Sequence, residues 1–202
     1  MKIAIIGTGR VGTTLAEGFV AAGHDVVFGS RNPSEKEDLP VPVLTTAASV
    51  EGAEVVVAAV PGRDTPAILR EIGAPALAGK VLIDVGNALG DSFDLLYPNA
   101  GLGAALQAAF PQTRVVKTLN TVSAPLMAHP NAIAQTAVFL SGDDPAAKTL
   151  VAGLLEDLGW PAKARIDLGD ISTARATEHY FFLSMDIMRA LRTTTYGIAV
   201  VS

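Results

Sequence analysis

The residues of this chain best placed to do chemistry stand at two points near its start. Gly7, Gly9 and Gly12 form a G-x-G-x-x-G pattern in "IIGTGRVG" (5–12), and the chain then reads "FGSRNP" (28–33). A glycine turn of this spacing, set after a strand and opening a helix, receives the pyrophosphate of a dinucleotide. The first glycine allows the tight turn, the second lets backbone approach the phosphates, and the third lets the helix pack against the sheet. Thr8, Arg10 and Val11 belong to the same turn, where unpaired N–H groups and the positive end of the helix dipole favour an anion.

The second stretch bears on which dinucleotide is bound. An NAD site carries Asp or Glu at the end of the second strand, hydrogen-bonded to the ribose 2′-hydroxyl. Here Ser30, Arg31 and Asn32 stand at that point, and no acid follows before Glu35. A hydroxyl and a guanidinium are good phosphate ligands, the second through its planar charged fork. Thr8 can add a hydroxyl from the opposite side. NADP(H) is therefore the expected cofactor, with Lys36 a further candidate contact. The competing reading makes Ser30 and Arg31 a solvated turn before Pro33.

Further along, the loops that follow strands supply the remaining candidates. In a doubly wound sheet, ligands lie beyond the carboxyl ends of the strands. Val60, Pro61 and Arg63 follow the fourth strand, Asn87 the fifth, and Asn120 and Thr121 the sixth. The three polar residues after the fifth and sixth strands are expected near the nicotinamide and the electron acceptor, against the alternative that they are amides and a hydroxyl capping loops. Lys117, on a strand, either reaches an anionic ligand or pairs with a buried acid, for which Asp84 is the candidate. His24, His129 and His179 are scattered without metal-ligand spacing, and His24 reads as structural. No nucleophile elbow or triad is present, so no catalytic side chain and no metal are expected. Arg175 and Glu178, three apart on the last helix, read as a surface ion pair.

These residues need elements to position them. Short β-branched blocks alternate with helical patterns: strands at 2–6, 25–29, 41–45, 54–60 and 80–85, with further candidates at 114–119, 136–142 and 162–168. Helices are expected at 10–22, with Val11, Leu15, Phe19 and Val20 on the buried face, and at 63–73, where Asp64 or Thr65 would cap. Others fall at 102–110, 145–158 and, as one piece, 171–195. Gly23 is placed to end the first helix. Such alternation implies right-handed βαβ units. The fold class expected is α/β, a Rossmann-type doubly wound, mostly parallel sheet with a C-terminal helical segment. Residues 1–168 would form the NADP-binding domain with a sheet extension, and 169–202 a helical segment acting as pocket wall and dimer contact, since "YFFLSMDIM" (180–188) is apolar nearly all round.

Half of the 202 residues are apolar, with a mean hydropathy of +0.39. The longest uninterrupted apolar run, "VVVAAV" (55–60), is far short of the ~18–20 residues a membrane span needs. The run near Met1 is too short for a signal peptide. The net charge of −5 argues against a nucleic-acid partner. With no cysteine, disulfides are excluded and a cytoplasmic setting is the default. The expected partners are a small-molecule acceptor and a second copy of the chain.

Beyond these motifs, "IAIIGTGRVGTTLAEGFVAAGHDVVFGSRNP", "VVVAAVP", "VVKTLNTVSAP", "VFLSGDDPAAKTLV" and "LGDISTARATE" together resemble the family of coenzyme F420-dependent NADP oxidoreductases, over nearly the whole chain. The segment is also similar to the NADPH-binding module of the STEAP metalloreductases. The resemblance implies 2′-phosphate contacts at Thr8, Ser30 and Arg31. It also implies direct hydride transfer between NADPH and a deazaflavin (F420) or flavin co-substrate, without an obligatory acid or base. One departure stands out: archaeal members carry a His where this chain has Asn120, an amide that hydrogen-bonds but is not protonated. The runner-up functions are an NADPH-dependent reductase of a small imine or carbonyl compound, similar to pyrroline-5-carboxylate reductases, and a non-catalytic NADP-binding module.

Overall fold

The computed structural model describes residues 1–35 and 38–201, so Lys36 lies outside the described residues. The alternation of apolar types in each short strand sends successive side chains to opposite faces of one sheet. In β1 (Lys2–Ile6), Ile3 and Ile5 face one core while Ala4 and Ile6 face the other. The other strands are β2 (Asp25–Ser30), β3 (Val43–Thr45), β4 (Val55–Ala58), β5 (Val81–Asp84), β6 (Arg114–Thr118), β7 (Val138–Ser141) and β8 (Arg165–Asp167). They form one eight-stranded sheet in the order β3-β2-β1-β4-β5-β6-β7-β8.

Helices cover both faces. On one lie α1 (Arg10–Ala21) and α7 (Pro145–Asp157), packing Leu15, Phe19, Val151 and Leu154 onto the sheet. On the other lie α2 (Thr46–Val50), α3 (Thr65–Ile72), α4 (Ala74–Leu77) and α5 (Leu102–Ala109). This is the doubly wound architecture expected. Gly23, at φ +85°, ends α1 as predicted, and the His24 N–H returns to the Phe19 carbonyl at 3.0 Å. Val20, expected inside, is 45% exposed. It falls one step off the stripe that Val11, Leu15 and Phe19 trace at four-residue spacing.

β1 to β6 run parallel, but β6 and β7 pair antiparallel, with Lys117 opposite Ser141. The cause is the connection. Residues 119–137 hold only the one-turn α6 (Ala124–Met127) and a 3₁₀ turn at Pro130–Ala132. Neither is long enough for the crossover a parallel strand requires. β3 is shorter than its sequence block because Pro42 has no N–H for the ladder, although its carbonyl still accepts the Phe28 N–H at 2.9 Å.

The last helical pattern is not one helix from 171 to 195. A 3₁₀ turn at Ile171–Thr173 precedes α8 (Ala174–Leu191), which stops where Arg192 turns left-handed at φ +53°. The buried side chains of α8 are Ala174, Thr177 and Glu178, all near its start. Beyond them the helix leaves Phe182, Leu183 and Leu191 exposed, Leu183 at 57%. No helix of the described residues is long and apolar enough to cross a membrane.

Candidate functional site

The glycine turn joins β1 to α1 at the carboxyl edge of the sheet. Gly7 has φ +115°, and a β-carbon there would lie 2.6 Å from the Ala59 carbonyl oxygen. Only glycine combines that conformation with that approach. At Gly12 a β-carbon would sit 2.1 Å from the Gly7 carbonyl oxygen, so the turn and α1 close onto each other. Gly9 differs from both. It precedes α1 with no side-chain cap, and a β-carbon on it would meet nothing within 4 Å. The approach to the first turn of α1 is therefore open at Gly9, and the unpaired N–H groups of a helix start suit the pyrophosphate of a dinucleotide. Arg10 is exposed at this end, whereas Val11 turns its side chain into the core and offers only its N–H.

Beside the turn lies a cavity of ≈ 220 Å³. Gly7, Thr8, Ser30, Arg31, Asn32, Val60 and Pro61, all singled out in the sequence, line it. The Ser30 hydroxyl accepts the Asn32 N–H at 3.2 Å, leaving its own O–H to donate. Arg31 is exposed and takes part in no ion pair among the described residues. Two polar lining residues were not anticipated as such. Thr46 opens α2, whose cap is the Thr45 hydroxyl accepting from the Ala48 N–H at 3.3 Å. The paired threonines at the junction of β3 and α2 were the available signal. Asp64 also lines the cavity, and neither it nor Thr65 provides the side-chain cap bond expected of them for α3.

A second cavity, of ≈ 380 Å³, adjoins the first, and Pro61 lines both. Asn87 opens into it, together with Arg63, whose guanidinium meets Asp91 at 2.6 Å. Three loops converge here. A β-carbon on Gly62 would lie 2.6 Å from both the carbonyl carbon and oxygen of Asn87, so the loops after β4 and β5 touch backbone to backbone. The loops after β5 and β6 are clasped by their amides. Asn87 donates to the Asn120 carbonyl at 3.1 Å, and Asn120 donates to the Asn87 side-chain oxygen at 3.0 Å. Leu119, just before the clasp, is held left-handed at φ +62°, a conformation that costs a leucine energy. Thr121 is half-buried beside it.

Behind the clasp is a buried charge cluster. Lys117 Nζ lies 2.9 Å from Asp84 Oδ2 and 3.1 Å from Glu178 Oε1, and it also donates to the Gly86 carbonyl. The three side chains are 1%, 0% and 1% exposed, respectively. Lys117 thus pairs with a buried acid, as one of its two readings had it. The Arg175–Glu178 surface pair does not exist. Glu178 points inward and accepts the Leu102 N–H at 2.8 Å, at the start of α5, while Arg175 donates to the Asn99 carbonyl at 3.3 Å. Helical spacing placed the pair three residues apart. It carried no sign that the one free end of α5 would draw the carboxylate in.

The histidines stand apart from both cavities. His24 bridges Met1 and Asp157, at 3.3 and 3.0 Å, and His179 meets the Pro98 carbonyl at 2.9 Å. Among the described residues no group of three or more His, Asp or Glu could hold a metal ion.

A parallel sheet with a glycine turn at its carboxyl edge, an open helix terminus and a cavity ending in Ser30 and Arg31 defines a dinucleotide-binding protein of the Rossmann type. Comparison with known proteins narrows the class. The family model for coenzyme F420-dependent NADP oxidoreductases matches residues 2–88. The F420-dependent NADP reductase of Methanothermobacter marburgensis is 30% identical, with 99% of this chain and 98% of that one aligned. A crystal structure from Arthrobacter sp. FB24, provisionally described as an F420-dependent NADP reductase, is 39% identical over the whole of both chains at a TM-score of 0.93. Metalloreductase STEAP3 of Rattus norvegicus is 32% identical over 88% of this chain, which spans only 36% of that protein's length. The chain belongs to the family of coenzyme F420-dependent NADP oxidoreductases and is an NADP-dependent oxidoreductase.

Proposed function

We propose that this oxidoreductase passes hydride directly between NADPH and a planar deazaflavin (F420) or flavin acceptor. The observation that carries the reading is the pair of adjoining cavities at the carboxyl edge of the sheet, meeting at Pro61. One is lined by groups suited to a phosphate, and the other by Asn87 of the amide clasp. Bound NADPH supplies the hydride. The protein's part is to bind and align. The turn of Gly7, Gly9 and Gly12, with the N–H groups of Arg10 and Val11, receives the pyrophosphate. Thr8, Ser30, Arg31 and Asn32 close on the 2′-phosphate, and Val60 and Pro61 form the floor between the two cavities. Asn87, Asn120 and Thr121 hold the nicotinamide carboxamide and the edge of the acceptor. None of these side chains needs to carry a proton in the transfer, so the rate comes from proximity.

In this reading residues 1–168 bind the cofactor, and 169–202 supply a dimer contact and, in the dimer, a pocket wall. The exposed apolar half of α8 supports it, since an unpaired stripe containing Phe182, Leu183 and Leu191 asks for a cover of the same kind. Light scattering at micromolar concentration should give twice the chain mass, and a monomeric mass would end that part.

The acceptor is tested by following NADPH absorbance with F420, FMN, FAD or Δ1-pyrroline-5-carboxylate. Rapid oxidation with F420 or a flavin is expected. Turnover of the imine alone, or tight NADPH binding with no turnover, would overturn the reading.

A further inference from the structure

Three charged side chains that lie at most 1% exposed are costly to bury, and an apolar trio of similar volume would hold a core as well. Only one of their bonds, Lys117 to Asp84, ties strand to strand. Asp84 and Lys117 are partners in register at the last rung of the β5–β6 ladder, so strand pairing ends where the cluster begins. What the cluster holds is the loop beyond. Gly86 is gripped from both sides: its N–H donates to Asp84 Oδ1 at 3.0 Å and its carbonyl accepts from Lys117. The other end of the same loop is fixed by the same cluster, because Glu178 accepts the N–H groups of Leu102 and Gly103. The residue after Gly86 is Asn87, whose amide clasps Asn120. Of the three contacts of the Lys117 ammonium, the Gly86 carbonyl belongs to this loop, which walls the second cavity, and the other two are the carboxylates that hold the loop's two ends.

We infer that Lys117, held between Asp84 and Glu178, is a positioning residue for the nicotinamide end of the site: it fixes Gly86 and, through it, the Asn87–Asn120 clasp. The inference rests on the proposal that the clasp meets the nicotinamide. It has a consequence that a purely structural role lacks. Loosening the cluster should harm binding of the whole cofactor while sparing the fragment that ends at the 2′-phosphate.

The test compares NADPH with 2′,5′-ADP, which lacks the nicotinamide, by titration calorimetry on wild type and Lys117→Met. The variant should bind NADPH at least about tenfold more weakly, the scale of one or two lost hydrogen bonds. Its 2′,5′-ADP affinity should stay within about twofold of wild type. Lys117→Met leaves two buried carboxylates without a cation and can fail to fold. The double variant Lys117→Met/Asp84→Asn removes one charge of each sign, keeps Glu178 on α5, and should show the same split. In the wild-type protein without ligand, the Gly86 amide should exchange as slowly as those of β5. Equal weakening of both ligands, an unchanged NADPH to 2′,5′-ADP ratio, or fast exchange at Gly86 would overturn the inference. A wild-type protein that fails to bind 2′,5′-ADP would instead overturn the cofactor-site reading on which it rests.

Discussion

Replacing Arg31 by alanine tests the proposed contact to the one group that distinguishes NADPH from NADH. The two cofactors differ only in the 2′-phosphate, and Arg31 lines the cavity proposed to receive it, beside Ser30 and Thr8. A hydrogen bond to a charged group contributes about 1.5–3 kcal/mol. Because Arg31 is exposed in the structure, solvent competes for the guanidinium and the lower part of that range applies, about 1.5–2 kcal/mol. At about 1.4 kcal/mol per decade, NADPH affinity should fall roughly 10- to 30-fold while NADH affinity changes less than about twofold. Among the described residues no carboxylate is left unpaired by the change, since none of their ion pairs uses Arg31. The assay is cofactor fluorescence on binding, at fixed pH and at two ionic strengths. The loss should shrink in high salt, because an exposed charge pair is screened within ~10 Å at about 0.1 M. Equal losses for the two cofactors, at either salt concentration, would refute the 2′-phosphate assignment.

Gly62→Ala would drive a β-carbon to 2.6 Å from the backbone of Asn87, which has no flexible end to give way. NADPH turnover should fall about tenfold or more, checked by steady-state rates alongside a thermal melt, and unchanged turnover would refute the convergence of the loops. For Asp167, burial raises its pKa, but hydrogen bonds from Lys148 and the Gly169 N–H outweigh that and hold it below its ordinary value of 3.8. A depressed carboxylate stabilises the fold above its unfolded pKa and loses that contribution as pH falls through the folded one. The stability gap between wild type and Asp167→Asn should therefore be present at neutral pH and close below about pH 4 in urea titrations.

Much of the fold is legible in the sequence because buried parallel strands and cap glycines leave strong local marks. The block "KIAII" and Gly23 announce themselves without any tertiary information. The glycine turn and the Ser30–Arg31 pair are equally local. The reversal of β7 is not, since it depends on what the 119–137 connection fails to contain. Glu178 is the clearest case of the opposite kind. Its role follows from the free end of α5, where Leu102 lies 76 residues earlier, and no helical period on α8 reports it. Gly62 reads as half of a Pro-Gly turn, and only the approach of Asn87 shows that a side chain has no room there. Asn87 and Asn120 were each visible as loop amides, whereas their mutual bonds required the β5–β6 pairing that brings the loops side by side.

That the two cavities have one lining residue in common, Pro61, bears on how such a protein can change over time. Arg31, Ser30 and Thr8 come from the first two strands and their turns, while Asn87 and Asn120 come from the loops after β5 and β6. Residues so separated, without shared partners, contribute independently. On the proposed reading, the 2′-phosphate contacts and the acceptor contacts can then drift or be engineered one at a time, with the combined effect close to the sum of the two. Pro61 is the position where that independence ends, and where a single substitution would be felt on both sides at once.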